Sequence, residues 1–211
     1  MAETALKSQP VPRAPSAPAR AVLVALALLA PLMSGCVEAV VGAAATTGVA
    51  ASQERGLGGA AGDLQIRSEI NYLWLKHNEQ MYVAVGLNVH EGRVLLTGKV
   101  PTPQARVDAV RLAWQAKGVK EVINEIQVDQ PGGISEYASD AWISNQLRAR
   151  LLFDGDVSSI NYSVVTVAGT VYLLGIARSQ AELDRVTTHA RNVANVRRVI
   201  SYVRVKQPGE S

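Results

Sequence analysis

Gly92-Arg93-Val94-Leu95-Leu96-Thr97-Gly98 returns 77 positions later as Gly169-Thr170-Val171-Tyr172-Leu173-Leu174-Gly175. Each stretch opens on a glycine after a turn, continues through alternating aliphatics and closes on a second glycine, which is the pattern of the second strand of a hairpin. The first strands precede it as Val83, Val85, Leu87 and Val89, with the turn at Glu91-Gly92, and as Ile160, Tyr162 and Val164, with the turn at Ala168-Gly169. The same shift extends outward without a gap. Asp63, Ile66, Leu75, Ala113, Val119, Val122, Ile123 and Val128 fall on Asp140, Ile143, Leu152, Ala190, Val196, Val199, Ile200 and Val205. A unit of about 66 residues is therefore written twice in a chain of 211. Each is just large enough for one modest core. The copies share turn glycines and core aliphatics but no Ser, His or Cys and no paired carboxylates, which reads as a binding module.

Each unit has the same order of elements. Ile66, Ile70 and Leu73 recur at helical spacing after Asp63, a candidate N-cap, as do Ile143, Leu147 and Leu151 after Ser139 or Asp140. The hairpin follows. A second helix then spans roughly Pro103 to Lys117 and Gln180 to Ala194, with Pro103 suited to a first helical turn. It ends where Gly118 faces Asn195, the two residue types that most easily take the left-handed conformation. A last strand closes each unit through Val122 and Ile126, and through Val199 and Val203. The expected fold class is α+β, two tandem units of helix-strand-strand-helix-strand, each with two helices on a small three-stranded sheet.

Ahead of the units the chain has a different character. Lys7, Arg13 and Arg20 in a proline-broken leader precede the apolar run Ala21 to Leu32, too short for the roughly 20 residues of a membrane-spanning helix. The run stops at Leu32-Met33-Ser34-Gly35-Cys36, before the one cysteine in the chain. This resembles the lipobox of bacterial lipoproteins, although Met33 stands where leucine is usual. The resemblance implies that residues 1–35 are a signal peptide and that Cys36 is lipidated. A lone thiol in an oxidising compartment has no intramolecular partner, and lipidation accounts for it. More than one acyl chain makes such anchoring stable, at about 0.8 kcal/mol per buried CH₂. Val37 stands where an inner-membrane retention signal would place Asp, so the resemblance favours the outer membrane. Residues 36–62, rich in Ala, Gly, Val and Thr, read as the lipidated Cys and a flexible tether reaching on the order of 30 Å. Residues 63–128 form the first domain, 129–138 a Pro-Gly-Gly linker, 139–205 the second domain and 206–211 a tail.

The element order, the two glycine-bounded segments and the Gly118-Val119 junction resemble the BON domain family over nearly the whole mature chain. Two BON domains behind a lipobox imply a non-enzymatic envelope protein that binds anionic phospholipid, such as phosphatidylglycerol or cardiolipin. They also imply a link to outer-membrane integrity, in some members at division sites. The expected location is the periplasmic face of the outer membrane.

The residues indicate where lipid would be read. Trp142 lies about 100° from Ile143 on a helical wheel, off the core stripe, and so either meets a bilayer interface, where indole is at home, or packs on the neighbouring domain. The second unit carries eight arginines against five acids, whereas the first has eight cations against seven acids. Arginine suits phosphate; scattered arginines on a solvated face are the bland alternative. The candidate phospholipid contacts are Trp142, Asn145, Arg148, Ala149 and Arg150. Two arginines give about 2 kcal/mol at an anionic surface, and burying roughly 100 Å² of indole adds about 2.5 kcal/mol. A lipid anchor makes such weak terms sufficient through effective concentration. An alternative reading makes the repeated sheets a docking site for an envelope protein.

The remaining features exclude other chemistry. Omitting Glu3, Lys7, Arg13 and Arg20 lowers the net charge from +3 to +1, too little for bulk nucleic-acid binding. His77, His90 and His189 lack ligand spacing, Gly56-Leu57-Gly58-Gly59 precedes no strand-turn-helix unit, and no nucleophile constellation is present. No metal, cofactor or catalytic residue is expected. Trp74 aligns with the core position Leu151 and reads as packing; Trp114 lies off the stripe of Ala109, Ala113 and Ala116, either touching the other domain or exposed.

Overall fold

The computed structural model describes residues 56–130 and 132–207. Cys36, the leader and most of the tether lie outside the described residues. The first domain runs α1 (Gly56–His77), α2 (Glu79–Ala84), β1 (Val85–His90), β2 (Arg93–Val100), α3 (Pro103–Ala113), β3 (Glu121–Asn124) and β4 (Gln127–Val128). The second runs α4 (Ile134–Phe153), a 3₁₀ turn (Ser159–Asn161), β5 (Tyr162–Val167), β6 (Thr170–Ala177), α5 (Gln180–Arg191) and β7 (Arg198–Val205). In both sheets a hairpin pairs antiparallel and the last strand adds parallel to its second strand: β2 is central in the first, β6 in the second. The α+β class and the tandem pair of small sheets agree with the sequence reading. In the first domain the closing strand is broken into β3 and β4, both paired with β2.

One face of each sheet is covered by its helices. Ile66, Ile70 and Trp74 of α1 pack with Val85, Val94, Leu96 and Ala109 in the first core, while Ile143, Leu147 and Leu151 pack with Val164, Val171, Leu173 and Val186 in the second. Trp74 is fully buried, and its indole N–H donates to the Ala109 carbonyl at 3.1 Å. That bond solves the indole's polar-atom problem and lets α1 use an aromatic where α4 uses Leu151.

The opposite faces of the sheets pack on each other. Leu95 and Ile123 meet Tyr172 and Leu174 in a third core, flanked by Val167, Ile200 and Tyr202. Polar contacts rim it: Arg93 donates to the Tyr202 carbonyl at 2.7 Å, Arg204 pairs with Glu91 at 2.8 Å, and the Tyr202 hydroxyl donates to Glu125. Burial, reinforced by that bond to Glu125, pushes the Tyr202 phenol up to about 12. The result is a helix-sheet-sheet-helix stack. Trp142, 45% exposed, and Trp114, 52% exposed, take no part in this interdomain core.

The two hairpin turns have positive φ at both central residues, Glu91 (55°) and Gly92 (77°), Ala168 (49°) and Gly169 (73°). These are type I′ turns, whose twist suits a hairpin. A β-carbon in that conformation is strained, and the repeated aspartate compensates. Asp63 accepts from the Glu91 and Gly92 amides at 2.9 and 2.8 Å; Asp140 accepts from the Ala168 and Gly169 amides at 2.7 and 2.9 Å. The N-cap expectation for Asp63 and Asp140 is thus corrected. Both sit inside helices that begin earlier, and their carboxylates bind a distant turn rather than their own helix ends. Removing the carboxylate in Asp140→Ala is expected to cost about 2–3 kcal/mol, the scale of charge-assisted hydrogen bonds, read as a lower thermal midpoint. Asp140→Asn, which keeps one acceptor, should lose less.

Other boundaries moved for local reasons. α1 starts at Gly56, inside the stretch read as tether, because a nucleated and packed helix propagates through Gly-Gly-Ala-Ala at only about 1 kcal/mol per glycine. α4 starts at Ile134, inside the stretch read as linker. Val83, read as the start of a strand, belongs to α2, which is capped by Asn78 accepting from the Gln80 and Met81 amides; Ile160 lies in the 3₁₀ turn. α3 and α5 stop at Ala113 and Arg191, earlier than read, and turns then lead to Gly118 (φ 94°) and Asn195 (φ 68°), which are left-handed as expected.

Candidate lipid-contact site

The long helix α4 uses one face for the second core and presents the other to solvent. Ile134, Ala138, Trp142, Asn145, Ala149, Leu152 and Phe153 are all exposed, and at 3.6 residues per turn they fall within about 100° of arc. None carries a charge. Phe153 is 86% exposed at the helix end. Isolated exposed apolar residues are ordinary, but a largely apolar strip along five turns, interrupted by Asn145, is a candidate contact surface.

The five residues expected from the sequence divide between this strip and its margins. Trp142, Asn145 and Ala149 lie on it. Arg148 and Arg150 are about 160° apart around the helix and are not brought together. Arg148 turns toward the second sheet, donating to the Val164 carbonyl at 2.6 Å and to Asn145 Oδ1 at 3.2 Å; Arg150 turns toward the end of α5, donating to the Asn192 carbonyl at 2.8 Å. All these acceptors are neutral, so each guanidinium keeps its full charge and further N–H groups for an anion. The helix thus presents an uncharged strip between two flanking arginines.

Ile134, Ala138, Leu152 and Phe153 were missed in the sequence. The signal existed: Ile134 and Ala138 fall on the Trp142 face once the helix is extended upstream, but the Pro-Gly-Gly segment made 129–138 read as linker. Exposed Val107 and Trp114 lie on one side of α3, with Arg111 beside them.

The BON domain model matches this chain twice, over residues 62–130 and 139–207. The chain belongs to the BON-domain family. It is 46% identical over 145 residues to a protein of the gshII 5′ region of Anaplasma centrale, covering 68% of this chain and 95% of that one. It is 34% identical to the 21 kDa hemolysin of Actinobacillus pleuropneumoniae, covering 63% of this chain and 69% of that one. It is 28% identical to the outer membrane lipoprotein DolP of Haemophilus influenzae, covering 80% of this chain and 87% of that one.

Proposed function

We propose that this protein is a periplasm-facing lipoprotein of the outer membrane, anchored through Cys36, whose second BON domain docks on anionic phospholipid along the outer face of α4. The observation that carries the reading is the uncharged strip from Ile134 to Phe153 with Arg148 and Arg150 at its margins. Similarity to an outer membrane lipoprotein over most of both chains supports the location. In this reading Trp142, Leu152 and Phe153 enter the interfacial region and the arginines meet phosphate oxygens. The docked domain contributes to outer-membrane integrity, including at division sites, without catalysing a reaction.

The test uses the full chain with Cys36→Ser, so that binding is not masked by the anchor. Trp142→Glu removes about 2.5 kcal/mol of indole burial and sets a carboxylate against an anionic surface. Co-sedimentation with phosphatidylglycerol vesicles is expected to fall about a hundredfold. Equal binding by the variant, or equal binding of the parent to phosphatidylcholine and phosphatidylglycerol, refutes the docking surface.

A further inference from the structure

Beside α4, on the side away from α5, a cleft of about 1100 Å³ lies between the two domains. Met81, Val83 and Ala84 of α2 and Gly86 of β1 wall it on the first domain; Tyr137, Ala141 and Ser144 of α4 and residues 164–167 of β5 wall it on the second. It is larger than the roughly 300–1,000 Å³ of most small-molecule sites.

β5 is an edge strand. In a hairpin with a two-residue turn, the residues flanking the turn exchange hydrogen bonds and every second pair repeats this. Val167, Val165 and Ser163 therefore bond to β6, paired with Thr170, Tyr172 and Leu174. Thr166 and Val164 turn their amides and carbonyls into the cleft. Among the described residues, the Val164 carbonyl is held by Arg148, and the Thr166 amide and carbonyl and the Val164 amide have no partner. The Thr166 side chain is occupied elsewhere, bonded to Ser144 on the core side.

We infer that this cleft binds an extended polypeptide segment of a partner protein, which adds as a strand to the free edge of β5. The row of open backbone groups decides the class. An acyl chain filling the same space would seal the Thr166 and Val164 amides from water with no acceptor, whereas a strand pairs with them and lays alternate side chains against α4 and against α2. Charge defines the segment further. Lys99 is neutralised by Glu136 at 2.6 Å, a bond that holds its ammonium above the usual range against the opposing effect of burial, and Asp140 is committed to the hairpin amides. Glu79 lies at the exposed start of α2. Arg148, with only neutral acceptors, is the cation beside the open edge. The segment is therefore uncharged through its middle, with a carboxylate, from a side chain or a chain end, beside Arg148. This inference shares Arg148 with the phospholipid reading but otherwise uses the other side of α4, away from Trp142, Leu152 and Phe153.

The test is selection of random ten-residue peptides displayed on phage against the whole Cys36→Ser chain, followed by synthesis of the strongest binder. The expected peptide binds at a single site, perturbs the Thr166 and Val164 amide signals in NMR, and is weakened at least tenfold by Ala141→Trp, which fills the cleft from α4. N-methylation of alternate peptide amides should abolish binding in one register and spare it in the other. Thr166→Pro removes the edge donor without removing a β5–β6 bond, and is the second variant. Failure to select any peptide sensitive to Ala141→Trp, or binders indifferent to N-methylation in both registers, overturns the inference. So does saturable filling of the cleft by monomeric dihexanoyl phosphatidylglycerol with the same amide shifts. Because Trp142→Glu leaves the cleft intact, peptide binding should survive it, which separates failure of this inference from failure of lipid docking.

Discussion

Gly175→Ala is expected to unfold the second domain under conditions where the parent is fully native. Gly175 has φ +151°, and a β-carbon built there would overlap the carbonyl oxygen of Asn161, the residue just before β5. Gly98 repeats the arrangement in the first domain, at φ +112°, with its absent β-carbon against the carbonyl of Ala84, just before β1. Each glycine is the register partner of the first residue of its edge strand, Tyr162 in one case and Val85 in the other. The obstacle is backbone, so no rotamer change relieves it. Strained φ costs about 1–3 kcal/mol and overpacking about 1–3 kcal/mol more, against the roughly 5–15 kcal/mol of a whole domain. The thermal midpoint of the second domain should fall by roughly 20 °C. Gly155→Ala, at an exposed position with nothing within 4 Å of the added atom, is the control and should be near neutral. A midpoint unchanged in Gly175→Ala would mean that the close approach of β6 to the 3₁₀ turn is not a constraint on folding.

Leu174→Asp should separate the two domains while leaving each folded. Leu174 is fully buried, but in the sheet-to-sheet core with Leu95, Ile123 and Tyr172 rather than under the helices. Losing its burial costs about 2–3 kcal/mol, and a carboxylate in that place adds a desolvation penalty. The rim contacts from Arg93, Arg204 and Tyr202 are partly exposed pairs of the kind that contribute little alone. Small-angle scattering should show a larger radius of gyration, and denaturant unfolding, expected as a single transition in the parent because the shared core couples the domains, should resolve into two. A variant that keeps the parent's scattering profile would show that the sheets are held together by their rims instead of by this core.

What the sequence made legible follows from periodicity. The hairpins, the core stripes of Ile66 and Ile143, the left-handed positions at Gly118 and Asn195 and the packing role of Trp74 all rest on local patterns, and the structure has them. The aspartates were visible as a repeated pair but received the wrong partner. A carboxylate near a helix start has a local explanation ready, whereas its true acceptor role, towards turn amides 28 and 29 residues away, needs tertiary structure. The sheet-to-sheet core was hidden for a related reason. Leu95 and Leu174 alternate with residues that face the helices, and a strand buried on both sides reads as a plain apolar run with no hint of what covers the second face. At the candidate site, Trp142 was identifiable because it broke a stripe. Asn145 and Ala149 go with it in the sequence reading, whereas Ile134 and Ala138 join that face only because the helix begins at Ile134.

Stacking the sheets back to back turns α1 and α4 toward opposite horizons. A bilayer docked, as proposed, on Trp142 and Phe153 would leave Leu64, Tyr72 and Leu75 of α1, all exposed, looking the other way into the aqueous space. The duplication has produced a two-sided tile, whose copies of one helix have diverged into a floor and a ceiling, and in which a change to either outer surface need not disturb the other.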